Sequence, residues 1–319
     1  PPFMTVKSSK TVVLLAAAFL THGALADTSG EVIENSAASP RAVIAMEPVI
    51  ETLEVVSESG LLPASDAETV DQILSDAGFQ VASVRQGDAL VPRLFPTAMP
   101  QDMAEIDQVA EKKRIFIMVM LPLVLAANEN IHSDREELLR LKSAVDQGQE
   151  LSAQDQAWLN ELAELYYVDD IDFDTLVARV DVIPPSLVLA QAALESGWGT
   201  SRFAHEGNAV FGQRSWDEDD GIVPEARRSD ETHVVKSFDG LKDSVLAYLV
   251  NLNRHGAYRH LRQIRTALHS ENLPLDGWTL AAGLDDYAEE PDYIELVRSV
   301  IRFNKLNDFD NARLADLAL

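Results

Sequence analysis

The sequence predicts an α+β fold, mostly helical with one small β-hairpin. Three observations predict it. Most of the chain carries apolar residues at helical spacing, and only "GIVPEARRSDETHVVKSF", residues 221–238, alternates as strands do. No internal repeat is visible. With 46% hydrophobic residues in 319, the chain can bury one good-sized core with extra segments, or two small domains.

The elements follow in chain order. Lys7 and Lys10, the apolar run "TVVLLAAAFL" and the small-x-small site Ala24-Leu25-Ala26 read as a secretory signal peptide over residues 1–26. A periplasmic or secreted location is the expectation that follows. Residues 27–66 are rich in Glu, Ser, Ala and Val with weak periodicity, and read as an acidic flexible spacer. A lead-in segment, 67–102, opens with Val70, Ile73 and Leu74 at helical spacing. It continues as the Pro-punctuated connector "ALVPRLFPTAMPQDM". In "KKRIFIMVMLPLVLAANENI" the apolar core runs only from Ile115 to Ala127 and contains Pro122. A membrane span needs ~20 residues, so a buried helix is expected and no span beyond the signal peptide. Two amphipathic helices come next, split at "GQE", with an N-cap signature over Ser152 to Gln156. "DFDTLVARVDVI" is a short helix closed by Pro184-Pro185.

The helix "PPSLVLAQAALES" then starts on proline and stops at Gly197. A hairpin follows, with its turn at Ser229-Asp230 and an edge strand at Pro224. Asp239 is expected to cap a helix with Leu241, Val245, Tyr248, Leu249 and Leu252 on one face. "DGWTLAAGLDDYAEE" and "PDYIELVRSVIRF" give two more, the second with Ile294, Val297 and Ile301 inward. The main domain is expected over 103–305, with 306–319 as a C-terminal tail.

Charge excludes some partners. With 52 acidic against 26 basic residues the net charge is −26, which repels nucleic acid and anionic membranes. The absence of cysteine excludes disulfides, thiolate nucleophiles and Cys-ligated zinc. His255 and His260 are five apart, off the face a zinc pair needs, and His205 reads as a loop residue. No metal or cofactor is implied. The oligomeric state is not encoded in any pattern here.

One residue stands out. Between Ile183 and Gly197 the only ionisable side chain is Glu195, in a chain that is 24% charged. It lies in line with Val188 and Ala192, at the negative end of the helix dipole. Both features raise a carboxyl's pKa, and a carboxyl protonated near neutral pH can act as a general acid. A plain helix-terminal Glu fits the pattern equally well. Trp198, Asn208, Phe211 and Gln213 tilt the balance toward a sugar site, where aromatic faces and amides meet pyranose rings. Trp198 also fits a core position, and the glycines of "GNAVFG" fit turn punctuation.

"ALESGWGTSRFA…GNAVFGQ" resembles the signature of the bacterial β-N-acetylglucosaminidases of glycoside hydrolase family 73, which cleave peptidoglycan. "YAEEPDYIELV", residues 287–297, resembles that family's second motif. The lead-in through "KKRIFIMVMLPLVLAANENI" is similar to the Bax-type branch. The resemblance spans roughly residues 67–305 and implies a lysozyme-like fold with a small β-hairpin lobe. It implies an endo-acting enzyme on the GlcNAc–MurNAc glycan backbone, with peptidoglycan strands as partner. Glu195 matches the family's general acid, and Tyr287 a tyrosine beside the reacting acetamido sugar. Glu225 is the better match for a second carboxylate on the hairpin and Glu231 the weaker, with Arg227 and Arg228 expected to hold Glu225 ionised. Tyr293 joins the expected sugar contacts. The chain departs from the pattern at Gln213, where an aliphatic residue is usual, and at Glu290, where Asp is common.

Two other readings stay open. A muramidase or lytic transglycosylase also places Glu-Ser at a helix end, but the Gly-Leu-Met-Gln-like motif that follows in those enzymes is absent. A non-catalytic glycan-binding scaffold would keep the groove without the chemistry.

Overall fold

The computed structural model describes residues 25–26, 32–33, 60–225, 227, 232–285, 287 and 292–316. The expected signal peptide and spacer fall outside the described residues, apart from a short antiparallel pair and the residues from 60 onward. That pair joins β1 (Leu25–Ala26) and β2 (Val32–Ile33).

Residues 60–66 are already structured. Strand β3 (Leu61–Leu62) pairs in parallel with β4 (Phe95–Pro96). Asp66 then caps α1 (Ala67–Asp76) by accepting the Thr69 N–H at 2.8 Å. The short helix α2 (Val81–Gln86), unpredicted from the sequence, ends at Gly87 in the left-handed conformation.

The largest departure is α3 (Val109–Asp146), one continuous 38-residue helix where a buried helix and a separate amphipathic one were expected. Pro122 sits inside it without ending it. A mid-helix proline costs ~3 kcal/mol. Every residue from Ile115 to Ala127 is buried, and each large side chain among them contributes ~1.5–3 kcal/mol. Burial therefore wins over the local breaker. By length and composition α3 could cross a membrane, but its apolar stretch lies mostly inside the fold.

Around α3 pack α1, α5 (Phe173–Arg179), α6 (Pro185–Ser196) and α8 (Leu241–Arg254), and α4 (Ala153–Leu165) is tied to it by the Arg140–Asp155 ion pair at 3.0 Å. The N-terminal box of α4 is closed by Ser152 with Asp155, not Gln156. Between α6 and α8 lie the short α7 (Arg202–Gly207) and a three-stranded antiparallel sheet. Its strands are β5 (Arg214–Ser215), β6 (Gly221–Ile222) and β7 (Val234–Lys236), in the order β5-β7-β6. The hairpin is present as β6-β7, and its expected turn at Ser229-Asp230 lies outside the described residues. Asp239 does not cap α8. Gly240 is the cap residue, and the Leu241 N–H finds the carbonyl of Thr97 in the lead-in segment at 3.0 Å.

The chain closes with α9 (Arg259–Ser270), α10 (Gly277–Leu280) and α11 (Tyr293–Phe303). Residues beyond 305, read from the sequence as a tail, are built into the core: Leu306 and Phe309 are fully buried. Val91 bridges Leu314, so the lead-in and this last segment meet. The whole is mostly helical α+β with small sheets, of the lysozyme-like kind.

Candidate active site

Helix α6 positions the site, and it is held at both ends. Its N-cap, Pro184, has no capping side chain. Asp310 supplies one from the far end of the chain. Its Oδ1 accepts the Ser186 N–H at 2.8 Å, and its Oδ2 accepts the Ser186 hydroxyl at 2.8 Å. A carboxylate there also suits the positive end of the helix dipole. The body of α6 is apolar and buried through Ala193.

The other end turns sharply. Gly197, Trp198 and Gly199 all take left-handed φ, at 59°, 59° and 81°. For Trp198 this is an uncommon conformation. It is held by the Trp198 N–H on the Ala193 carbonyl at 2.8 Å and by the Gly199 N–H on Ser196 Oγ at 2.9 Å. A Cβ on Gly199 would strike Met99 Sδ at 2.7 Å, so the lead-in segment seals the back of this turn. The Trp198 ring is partly exposed. It meets Phe116 edge-on at 5.4 Å, with Lys113 Nζ 4.7 Å from its centroid.

Glu195 is half-buried one step before the turn. Burial pushes its carboxyl up to about 8, against the pull of one hydrogen bond from the Tyr293 hydroxyl to Oε1 at 2.9 Å. Gly212, with φ at 61°, faces Oε2: a Cβ there would stand 3.9 Å from it. Tyr293 is in turn bonded to Gln191, whose amide N–H donates to the phenol oxygen at 3.1 Å. The Gln191 carbonyl accepts the Tyr248 hydroxyl. Tyr287 stacks on Tyr293 at 4.9 Å and 17°, and its buried hydroxyl has no partner among the described residues. Burial raises all three phenols well above 10, so each stays protonated.

The expected residues divide accordingly. Glu195, Tyr287 and Tyr293 come together. Trp198 adjoins them through the turn. Phe211 requires a correction: it is fully enclosed, and its ring stacks on Tyr248 at 3.9 Å and 2°, leaving no face for a sugar. Asn208 also has a structural task. It ends α7 in left-handed conformation and donates from Nδ2 to the Phe238 carbonyl at 3.0 Å. Gln213 is buried, and its backbone carbonyl accepts the Lys236 N–H at 2.7 Å, extending the pairing of β5 with β7. Glu225 is 86% exposed and pairs with Arg202 Nε at 3.6 Å. Arg227 instead pairs with Glu218 at 3.5 Å. Arg228, Glu231 and Glu290 lie outside the described residues. Pattern reasoning missed Gln191 and placed Tyr248 only on a core face. The available signal was a lone amide one turn before Glu195 in an otherwise apolar helix. Among the described residues no group of three or more His, Asp or Glu is placed to hold a metal.

A carboxyl that keeps its proton at neutral pH beside enclosed phenols can donate that proton to a leaving oxygen. Residues 172–306 match the family model described as mannosyl-glycoprotein endo-beta-N-acetylglucosaminidase, and the protein is a glycoside hydrolase. It is 31% identical over 196 residues to Protein bax of Escherichia coli (strain K12), an alignment covering 59% of this chain and 67% of that protein. The chain belongs to the Bax-type branch of glycoside hydrolase family 73. No solved structure matches it.

Proposed function

We propose that the protein is a peptidoglycan endo-β-N-acetylglucosaminidase that cuts the GlcNAc–MurNAc linkage, with Glu195 as general acid. The observation that carries this reading is a half-buried carboxyl at the end of α6 with the Tyr293 hydroxyl 2.9 Å from its Oε1, where burial pushes the carboxyl up to about 8. Glu195 protonates the glycosidic oxygen as the bond to the anomeric carbon breaks. The sugar's own acetamido oxygen meets that carbon from the other side. The Glu195 carboxylate then takes a proton from the water that opens the cyclic intermediate, and configuration is retained. Glu225 is the rival for the second role, as base on water in an inverting reaction, which needs the carboxyls ~6.5–9.5 Å apart. Its exposure and its pairing with Arg202 favour the acetamido route. Tyr287 is assigned to orienting the acetamido group. It is fully enclosed in this conformation, so meeting the sugar requires local opening. Trp198 is assigned to stacking on a neighbouring ring. We also propose export to the periplasm or beyond, on the strength of residues 1–26.

A peptidoglycan zymogram with wild type, Glu195→Gln and Glu225→Gln tests the assignment, with product analysis alongside. The reading expects a new GlcNAc reducing end, loss of clearing in Glu195→Gln, and clearing retained in Glu225→Gln. A MurNAc reducing end or 1,6-anhydro product would transfer the enzyme to the muramidase or transglycosylase class. Full biological function in Glu195→Gln would favour the scaffold.

A further inference from the structure

Three buried side chains reach back from Glu195, and their chemistry gives the chain of hydrogen bonds a direction. We propose that Gln191, with Tyr248 behind it, is a positioning residue that aims the Tyr293 hydroxyl at Glu195 Oε1 and so keeps the transferable proton on Oε2. This rests on the reading of Glu195 as the acid.

The argument starts at the far end. Tyr248, fully buried in α8, donates to the carbonyl oxygen of Gln191. In this arrangement the Gln191 amide turns its oxygen toward Tyr248. The other end is NH2, which can only donate. It donates to the oxygen of Tyr293 at 3.1 Å. Among the described residues the acceptor for the Tyr293 proton is then Glu195 Oε1, 2.9 Å from the phenol oxygen. An oxygen that accepts this proton cannot carry the acid's proton toward the same neighbour. The acid proton therefore belongs on Oε2. Gly212 stands on that side, where an added Cβ would come within 3.9 Å of Oε2. Gln191 lies one helical turn before Glu195 on α6, so one backbone element fixes the spacing of both ends.

Among the described residues, the titratable groups facing Glu195 are Tyr248 from α8, Tyr293 from α11 and Tyr287 from the turn before α11, all neutral phenols. On its own helix the facing group is the uncharged Gln191. The Phe211 ring stacked on Tyr248 holds the first donor in place.

The relay predicts a sign. A hydroxyl that donates to Glu195 favours its ionised form, so Tyr293→Phe should move the alkaline limb of kcat/KM to higher pH, by about one unit. Gln191→Met should move it the same way by less, because the Tyr293 proton is then free but still present. Gln191 acts through Tyr293, so the double variant should match Tyr293→Phe alone instead of adding to it. Titration of the 13C-labelled Glu195 carboxyl reads the same shift with or without turnover. It thereby separates failure of this relay from failure of Glu195 as the acid, which Glu195→Gln tests. A limb that moves to lower pH in Tyr293→Phe would mean Glu195 donates to Tyr293, and would overturn the proposal. So would additive effects in the double variant. If Tyr293→Phe fails to fold, the sign of the shift in Gln191→Met decides alone.

Discussion

Replacing Glu195 with Gln should stabilise the protein, by an amount set by pH. The carboxyl has an ordinary value of 4.5 and is pushed up to about 8 by burial. Between those values the unfolded chain ionises at this position and the folded one does not. The stability the protonated group allows is therefore complete below pH 4.5, erodes as pH rises, and is fully lost above about 8. At about 1.4 kcal/mol per pH unit the loss reaches ~3 kcal/mol at pH 7 and ~5 kcal/mol above pH 8. These are upper limits, since the carboxyl keeps part of its surface in water. Gln does not titrate, and its carbonyl still accepts the Tyr293 proton. Urea unfolding of both proteins at pH 4.5, 6 and 7 measures the difference. The two should nearly coincide at pH 4.5 and separate to ~3 kcal/mol at pH 7, with the variant the more stable. In a thermal scan that is several degrees, at ~2–4 °C per kcal/mol for a domain of this size. A gap that stays constant with pH, or never opens, would refute the claim that burial holds Glu195 protonated.

Other outcomes follow from the same geometry. If Glu195 must be protonated to act, kcat/KM should fall about tenfold per pH unit above about pH 8, read from a pH–rate profile on soluble glycan fragments. Asp310→Ala leaves the Ser186 N–H and hydroxyl without their acceptor, and should cost ~1–3 kcal/mol by urea unfolding. Gly277→Ala would drive a Cβ into Ser186 Oγ and to 2.5 Å from the Leu187 nitrogen; calorimetry should register ~1–3 kcal/mol of overpacking. Phe211→Ala removes the ring behind Tyr248 and should cost ~3–5 kcal/mol, whereas the loss of a mere sugar contact would leave stability unchanged.

Much of the fold was legible because burial and backbone signals coincided. Pro185 opening α6 and Gly197 closing it are local chemistry, and both stand where the pattern put them. Glu195 stood out as one charge in an apolar stripe, a pattern that a plain helix terminus fits equally well, and its bond from Tyr293 is visible only in three dimensions. The failures share a cause, which is long-range contact. Pro122 reads as a breaker until the burial of its neighbours outweighs it. The N-cap of α6 comes from Asp310, 124 positions away, so no local motif announces it. Helix α9 went unread in the sequence, and Arg265 on it looks like an ordinary surface charge. It is in fact enclosed, donating to the Asp181 carbonyl at 3.0 Å and to Asn253 Oδ1 at 2.7 Å.

Gln191 and Tyr248 belong to a subtler class. An amide in a buried helix and a tyrosine on an apolar face each look like core filling, and each does fill the core. A buried polar group without a partner costs ~1–3 kcal/mol, so each also implies a partner that the sequence does not name. Only three-dimensional contact reveals that the partners form one line ending on Glu195. That line explains why the most polar part of α6 is also among the most deeply enclosed. A catalytic acid needs its surroundings dry to stay protonated, yet one oxygen must hold a fixed donor to leave the other available. Neutral phenols and an amide meet both needs. A lysine or arginine in their place would pull the carboxyl's pKa back down and remove its proton at neutral pH. The composition of the pocket is therefore what a protonated carboxyl requires: among the described residues, the titratable groups facing Glu195 are neutral phenols.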